Sequence, residues 1–124
     1  MIVFENVTKN YNPNIGLDHV NVRINKGDFV FLVGPSGAGK STFIRLILKE
    51  IEPDEGRICV NGLEVNTLTN RLIPKLRRST GIVFQDFRLL PNRTVFENVA
   101  FAMEITHQTA RQIRRQVPPV LGLV

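Results

Sequence analysis

Cysteine is almost missing from this chain: Cys59 is the only one in 124 residues. No disulfide framework and no cysteine metal site can therefore form within it. Cys59 falls in a predicted strand over 57–61, where a structural thiol is the expectation. Histidine is nearly as scarce, and neither His19 nor His107 has a companion at metal-ligand spacing. No apolar run approaches the length of a membrane-spanning helix. The N-terminus lacks the basic-then-apolar form of a secretory signal, so a reducing, intracellular setting is the default expectation. Internal repeats and low-complexity segments are absent too.

What is present suits one domain or part of one, long enough for a sizeable core. The formal charge is +5 and the pI about 10.0, which raises nucleic acid or an anionic membrane as a partner. The charge is not gathered into a tail, however. Its densest groups are Arg71, Lys75, Arg77 and Arg78, then Arg111, Arg114 and Arg115, and solvated helix faces account for them at least as well. Nucleic-acid binding is the weakest reading and is not expected.

The informative stretch is Gly34, Pro35, Ser36, Gly37, Ala38, Gly39, Lys40 and Ser41, followed by Thr42. It fits the phosphate-binding P-loop pattern, which arises by chance in a chain this long only about a few times in a thousand. The apolar run 29–33 before it predicts a fully buried strand, and 42–49 after it predicts a mostly buried helix. Strand, glycine turn and helix are the context the chemistry needs. Glycines let backbone N–H groups wrap closely around an anion. The helix start adds unpaired N–H groups and the positive end of its dipole. Lys40 supplies a full charge for the β- and γ-phosphates, the Ser41 hydroxyl a ligand for Mg2+, and Thr42 a further phosphate hydrogen bond. The ordinary alternative is a glycine turn with a surface lysine.

The remainder is read in order. Residues 1–24 predict antiparallel β structure with a turn-rich break at 10–16; Val20, Val22 and Ile24 share one face of the second strand. Tyr11, the only tyrosine, sits in the break. It is either a loop aromatic packed on the sheet edge or a ring that stacks on a nucleobase. Residues 52–56 form a turn, and 69–78 predict a short helix with Leu72, Ile73 and Leu76 inward and its basic residues outward, weakened by Pro74. A short apolar strand at 81–84 ends at Gln85-Asp86, where open α/β sheets place ligand-facing groups; a plain strand-to-loop transition is the alternative. The loop 87–93 carries three large apolar residues, for a partner or for the core. Thr94 and Glu97 have capping-box form, predicting a helix to about Ile105 with Phe96, Val99, Ala100 and Met103 on one face. Residues 110–117 predict an amphipathic helix with Arg111, Arg114 and Arg115 outward and Ile113 and Val117 inward; Pro118-Pro119 kinks it or starts a new turn.

Tyr11 in an early loop, the glycine loop at 34–41 and Val83-Phe84-Gln85 at a strand end together resemble the ABC-transporter-type ATPases. They match that family's adenine-stacking aromatic, Walker A motif and Q-loop in order and rough spacing. The stretch 83–91 is the more diagnostic, and it resembles a bacterial cell-division member of the family. The resemblance implies an α/β fold: a P-loop NTPase with a RecA-like core and an N-terminal antiparallel β subdomain. The β subdomain and core would occupy about 1–86, and the start of the helical subdomain about 87–124, with the chain truncated inside that subdomain. It implies ATP and Mg2+ as ligands. Lys40 and Gln85 would act in catalysis, Ser41 and Gln85 would reach the metal, and Tyr11 with residues 34–42 would hold the nucleotide. It also implies a homodimer in the full-length form, an integral membrane partner touching 87–91, and a cytoplasmic location on the inner face of the plasma membrane.

The family's signature Leu-Ser-Gly-Gly, its Walker B aspartate with the catalytic glutamate, and its switch histidine have no counterpart here. Phosphate recognition can thus be assigned to these residues and hydrolysis cannot; residues 1–124 alone are expected to be inactive. A nonhydrolytic nucleotide-binding module, or the ATP-binding subunit of a different ABC transporter, are the alternatives. A P-loop kinase or GTPase is a third, disfavoured because two strands precede the loop and no Asn-Lys-x-Asp is present.

Overall fold

The structure is a computed structural model that describes residues 1–124 except Asn12, Pro13 and Gln85. It resolves into two compact units, Met1–Thr80 and Gly81–Val124.

In the first unit, β1 (Ile2–Tyr11) and β2 (Asn14–Ile24) form an antiparallel hairpin. The other edge of β1 pairs with β3 (Glu55–Val60), which pairs with the short β4 (Leu63–Glu64), giving the order β2-β1-β3-β4. The break expected at 10–16 is thus much shorter, since strand pairing continues to Tyr11↔Asn14. The alternation in β2 behaves as predicted: Val20, Val22 and Ile24 pack against the core. The register of β1 shifts between Phe4 and Val7, where Asn6 takes φ 52. Opposite it, Gly56 sits at φ 83 so close to β1 that a Cβ would stand 2.2 Å from the Asn6 carbonyl oxygen.

The helix α1 (Lys40–Ile47) lies on this sheet through Thr42, Phe43, Leu46 and Ile47, all buried. Phe43 stacks on Phe4 of β1, ring centroids 4.3 Å apart and planes 18° from parallel. Phe4, Val7, Leu46, Ile58, Val60, Val65 and Leu76 complete a core with almost no exposure. The helix α2 (Ile73–Arg78) is shorter than the predicted 69–78 because Pro74 falls in its first turn, a place that suits proline, whereas an interior position would not. Leu72, expected inward, is 43 % exposed, and Arg77 lies exposed as expected. Its guanidinium donates to the Leu48 and Lys49 carbonyls at 3.1 and 3.3 Å and satisfies the C-terminal end of α1.

Two predicted strands do not form. Residues 29–33 lie in no sheet, and Phe29, Phe31 and Val33 are 84, 77 and 84 % exposed. Residues 81–84 are likewise outside any sheet, with Val83 fully exposed. A strand is not a local structure: a buried parallel strand needs hydrogen-bonding neighbours and cover on both faces. No described segment pairs with either run.

In the second unit, α3 (Val95–Ile105) starts at the predicted capping box. Thr94 accepts from the Glu97 N–H, and Glu97 accepts from the Thr94 N–H at 2.7 Å. The Thr94 N–H first, then the Thr94 hydroxyl donating to the same carboxylate at 2.9 Å, hold the Glu97 carboxyl below its ordinary value. Ala100 of α3 is buried against Ile113 and Val117 of α4 (Ala110–Leu121), with Val99 and Met103 alongside. Phe96, expected on that face, remains 36 % exposed. The prolines do not end α4 at 117: it runs through Pro118 and Pro119 to Leu121. They fall in its last turns, where Gly122 N–H still reaches the Pro118 carbonyl at 3.0 Å and closes the helix end.

Candidate phosphate-binding site

Everything from Gly34 to Thr42 converges on the start of α1. The loop is drawn tight by the Ala38 N–H donating to the Pro35 carbonyl at 3.2 Å. It enters the helix through Gly39, the residue before Lys40, in the left-handed region at φ 84. Only glycine fits there on two counts: a Cβ would be strained by that φ and would stand 2.0 Å from the Gly16 carbonyl oxygen of β2. The packing of β2 against Gly39 therefore fixes how the loop turns into the helix.

Beyond Gly39 the N–H groups of Lys40, Ser41 and Thr42 begin α1 with no side-chain cap and no acidic residue in the first turn. The first helical N–H groups lack an acceptor inside any helix. Here they face outward from a loop of small residues, and the dipole end is left uncompensated by a carboxylate. That arrangement attracts an anion. Ser41 is exposed at the mouth, and Thr42 is buried beneath it. Lys40 bends back over the loop, its Nζ donating to the Gly34 and Pro35 carbonyls at 2.7 and 2.6 Å. The ammonium is thereby held against the loop that leads into α1.

Tyr11 comes into this neighbourhood, which its place in the sequence did not require. Its ring lies on Gly16, where a Cβ would approach ring carbons at 2.8 and 2.9 Å. Gly16 in turn touches Gly39, so one glycine separates the ring from the loop. The Lys9 ammonium stands over the Tyr11 ring, 6.0 Å from its centroid, and pairs with Asp54 at 2.8 Å. Asp54 also accepts from the Asn10 N–H at 2.6 Å. That backbone bond first, then the Lys9 side chain, lower the Asp54 carboxyl from its ordinary value. Sequence reasoning missed Lys9, Gly16 and Asp54. The only signal for Asp54 was its turn at 52–56, and which strand that turn faces depends on the β1–β3 pairing.

Gln85 lies outside the described residues. Around it, Arg88 stacks over the Phe84 ring at 3.8 Å. Phe87 and Arg88 both take φ 47, uncommon for residues with a Cβ, and Phe87 and Leu89 are 83 and 68 % exposed. Among the described residues, no cluster of His, Cys, Asp or Glu forms a preassembled metal site. No described helix is long and apolar enough to cross a membrane.

The family model for ABC transporters matches residues 17–120. This chain belongs to the ABC transporter family. Among curated ABC proteins it is 51 % identical to the cell division ATP-binding protein FtsE of Mycobacterium tuberculosis, over 100 % of this chain and 55 % of that protein. It is 40 % identical to the spermidine/putrescine import ATP-binding protein PotA of Protochlamydia amoebophila, over 99 % of this chain and 32 % of that one. Among solved ABC structures it is similar to a dimeric post-hydrolysis state of the ATP-binding cassette MJ0796 bound to ADP and Pi. The TM-score is 0.87 at 33 % identity, covering 98 % of this chain and 56 % of that chain. The fold is accordingly that of an ABC cassette, a P-loop NTPase. The chain spans about half the length of the FtsE relative it matches.

Proposed function

We propose that this chain is the nucleotide-binding portion of an ABC ATPase that acts in bacterial cell division in the manner of FtsE. The observation that carries the reading is the start of α1: open N–H groups at Lys40, Ser41 and Thr42, with the Lys40 ammonium held over the loop. That is a cradle for the phosphates of ATP. The residues 34–42 and Lys40 hold and neutralise the phosphates, and Tyr11 stacks on the base. Ser41 and Gln85 are the ligands offered to Mg2+, which when bound neutralises the β- and γ-oxygens. Gln85 also orients the attacking water. Full-length subunits pair as a homodimer on the cytoplasmic face of the membrane. The exposed Phe87 and Leu89, with the rest of 87–91, meet an integral membrane partner resembling FtsX. The higher identity to FtsE than to the polyamine importer, 51 against 40 %, supports cell division over solute import. The importer match keeps the second reading, an ATP-binding subunit of another ABC transporter.

The test is a calorimetric titration of the full-length protein with Mg-ATP. Lys40→Ala is expected to weaken binding by about a hundredfold, since a charge-assisted phosphate contact is lost. Unchanged affinity would remove the assignment. Residues 1–124 alone are expected to show no ATP turnover. Phosphate release by the purified chain that disappears in Lys40→Ala would support hydrolysis by these residues instead.

A further inference from the structure

Tyr11 ends β1, and the end of a strand has few constraints of its own. Here it has several. The Asp54 N–H donates to the Thr8 carbonyl at 2.9 Å. The Asp54 carboxylate takes the Asn10 N–H on one oxygen, at 2.6 Å, and the Lys9 ammonium on the other, at 2.8 Å. One residue therefore fixes the backbone at 8 and 10 and the side chain at 9. Lys9 is held tightly, with only 18 % of its side chain exposed, and its ammonium stands over the Tyr11 ring. The ring rests on Gly16, and Gly16 touches Gly39 of the phosphate loop.

We propose that Asp54 is a positioning residue for the nucleobase, clasping the end of β1 so that Lys9 and Gly16 hold the Tyr11 ring beside the phosphate loop. This rests on the reading above that Tyr11 stacks on the base. Asp54 touches no nucleotide in this scheme. Its effect passes through the ring, so it should alter recognition of the base and leave recognition of the phosphates alone. A residue that merely stabilised the fold would alter both.

The experiment compares Mg-ATP with inorganic tripolyphosphate plus Mg2+, titrated into the full-length protein and its variants. Tyr11→Ala is expected to weaken ATP by about tenfold, the scale of one base stacked on an aromatic ring. Asp54→Ala is expected to weaken ATP by about three- to fivefold, the upper range of a partly exposed ion pair. Neither should change tripolyphosphate affinity. The double variant should bind ATP no worse than Tyr11→Ala alone. Asp54→Asn keeps an acceptor for the Asn10 N–H and should recover part of the loss. If Asp54→Ala fails to fold, Lys9→Met removes the charge while keeping the packed stem, and should show the same selective loss.

Equal weakening of both ligands by Asp54→Ala or Lys9→Met would overturn the proposal. So would full additivity with Tyr11→Ala, or wild-type ATP affinity in either variant. Failure of the underlying reading looks different: Tyr11→Ala itself would then bind ATP normally, which overturns the stacking role and this proposal with it, while tripolyphosphate binding would still report on the phosphate loop.

Discussion

At the scale of single residues, glycines decide where backbone segments can touch. Gly56 is the sharpest case outside the phosphate loop. Its φ of +83 disfavours any side chain, and a Cβ there would meet the Asn6 and Glu5 carbonyl oxygens at 2.2 and 2.6 Å. Both obstacles are backbone, so neither can rotate away. Gly56→Ala should force β3 off β1 and cost about 2 kcal/mol or more. Thermal melting of the full-length protein would show a lower midpoint; an unchanged midpoint would mean the β1 bulge at Asn6 yields more easily than its hydrogen bonds suggest. Sequence reading marked the glycines at 34–41 because they sit in a pattern with a chemical meaning. It saw Gly56 only as the end of a turn and Gly16 only as part of a break. Their roles come from a strand distant in sequence, so no local pattern announces them. The same holds for Asp54, which follows Pro53 in sequence and meets Lys9 and Asn10 in the fold.

At the scale of elements, helices were legible and paired strands were not always. The helix α3 begins where Thr94 and Glu97 predict, because a capping box is complete within four residues. Its pH dependence follows from the lowered Glu97 carboxyl. A folded pKa below the ordinary 4.5 means the cap contributes stability above that value. The contribution is lost as pH falls through the depressed folded value. Acid titration followed by amide exchange should therefore open α3 only below pH 4.5, and Thr94→Ala should shift the opening upward by removing the hydroxyl bond to the carboxylate while the backbone N–H bond stays. The run 29–33 tests the opposite case. Its apolar composition predicts a buried strand and no strand forms, because burial depends on neighbours that no described segment provides. Phe29 and Phe31 meet each other edge-on, centroids 5.0 Å apart, and are otherwise exposed. A run this apolar, with no charge between Asp28 and Lys40, favours self-association. In solutions of residues 1–124, Phe31→Lys should reduce light scattering and dye binding several-fold; no change would show that another surface is responsible.

At the scale of the molecule, the two units differ in how much they bury. The unit Met1–Thr80 holds a cluster from Phe4 to Leu76, drawn from a sheet and α1 and locked by the Phe4–Phe43 stack. Among the described residues, the unit Gly81–Val124 has only Ala100, Ile113 and Val117 at the centre of its cluster. Its α3 carries Val95, Phe101 and Ile105 exposed on the surface, apolar area that contributes nothing to its own stability. Local opening free energy rises with buried apolar contact, so the units should not open together. Hydrogen exchange on residues 1–124 is expected to show slow amides in β1, β3 and α1 and exchange at least tenfold faster in α3 and α4. Backbone hydrogen bonding cannot reverse that order, since helices of eleven and twelve residues are marginal without packing. If α3 and α4 instead exchange as slowly as β1, their exposed apolar face must be covered in solution, by self-association that dilution would relieve. Repeating the measurement across a range of protein concentrations separates these outcomes: fast exchange independent of concentration supports a thin core in the second unit, and protection that falls on dilution contradicts it.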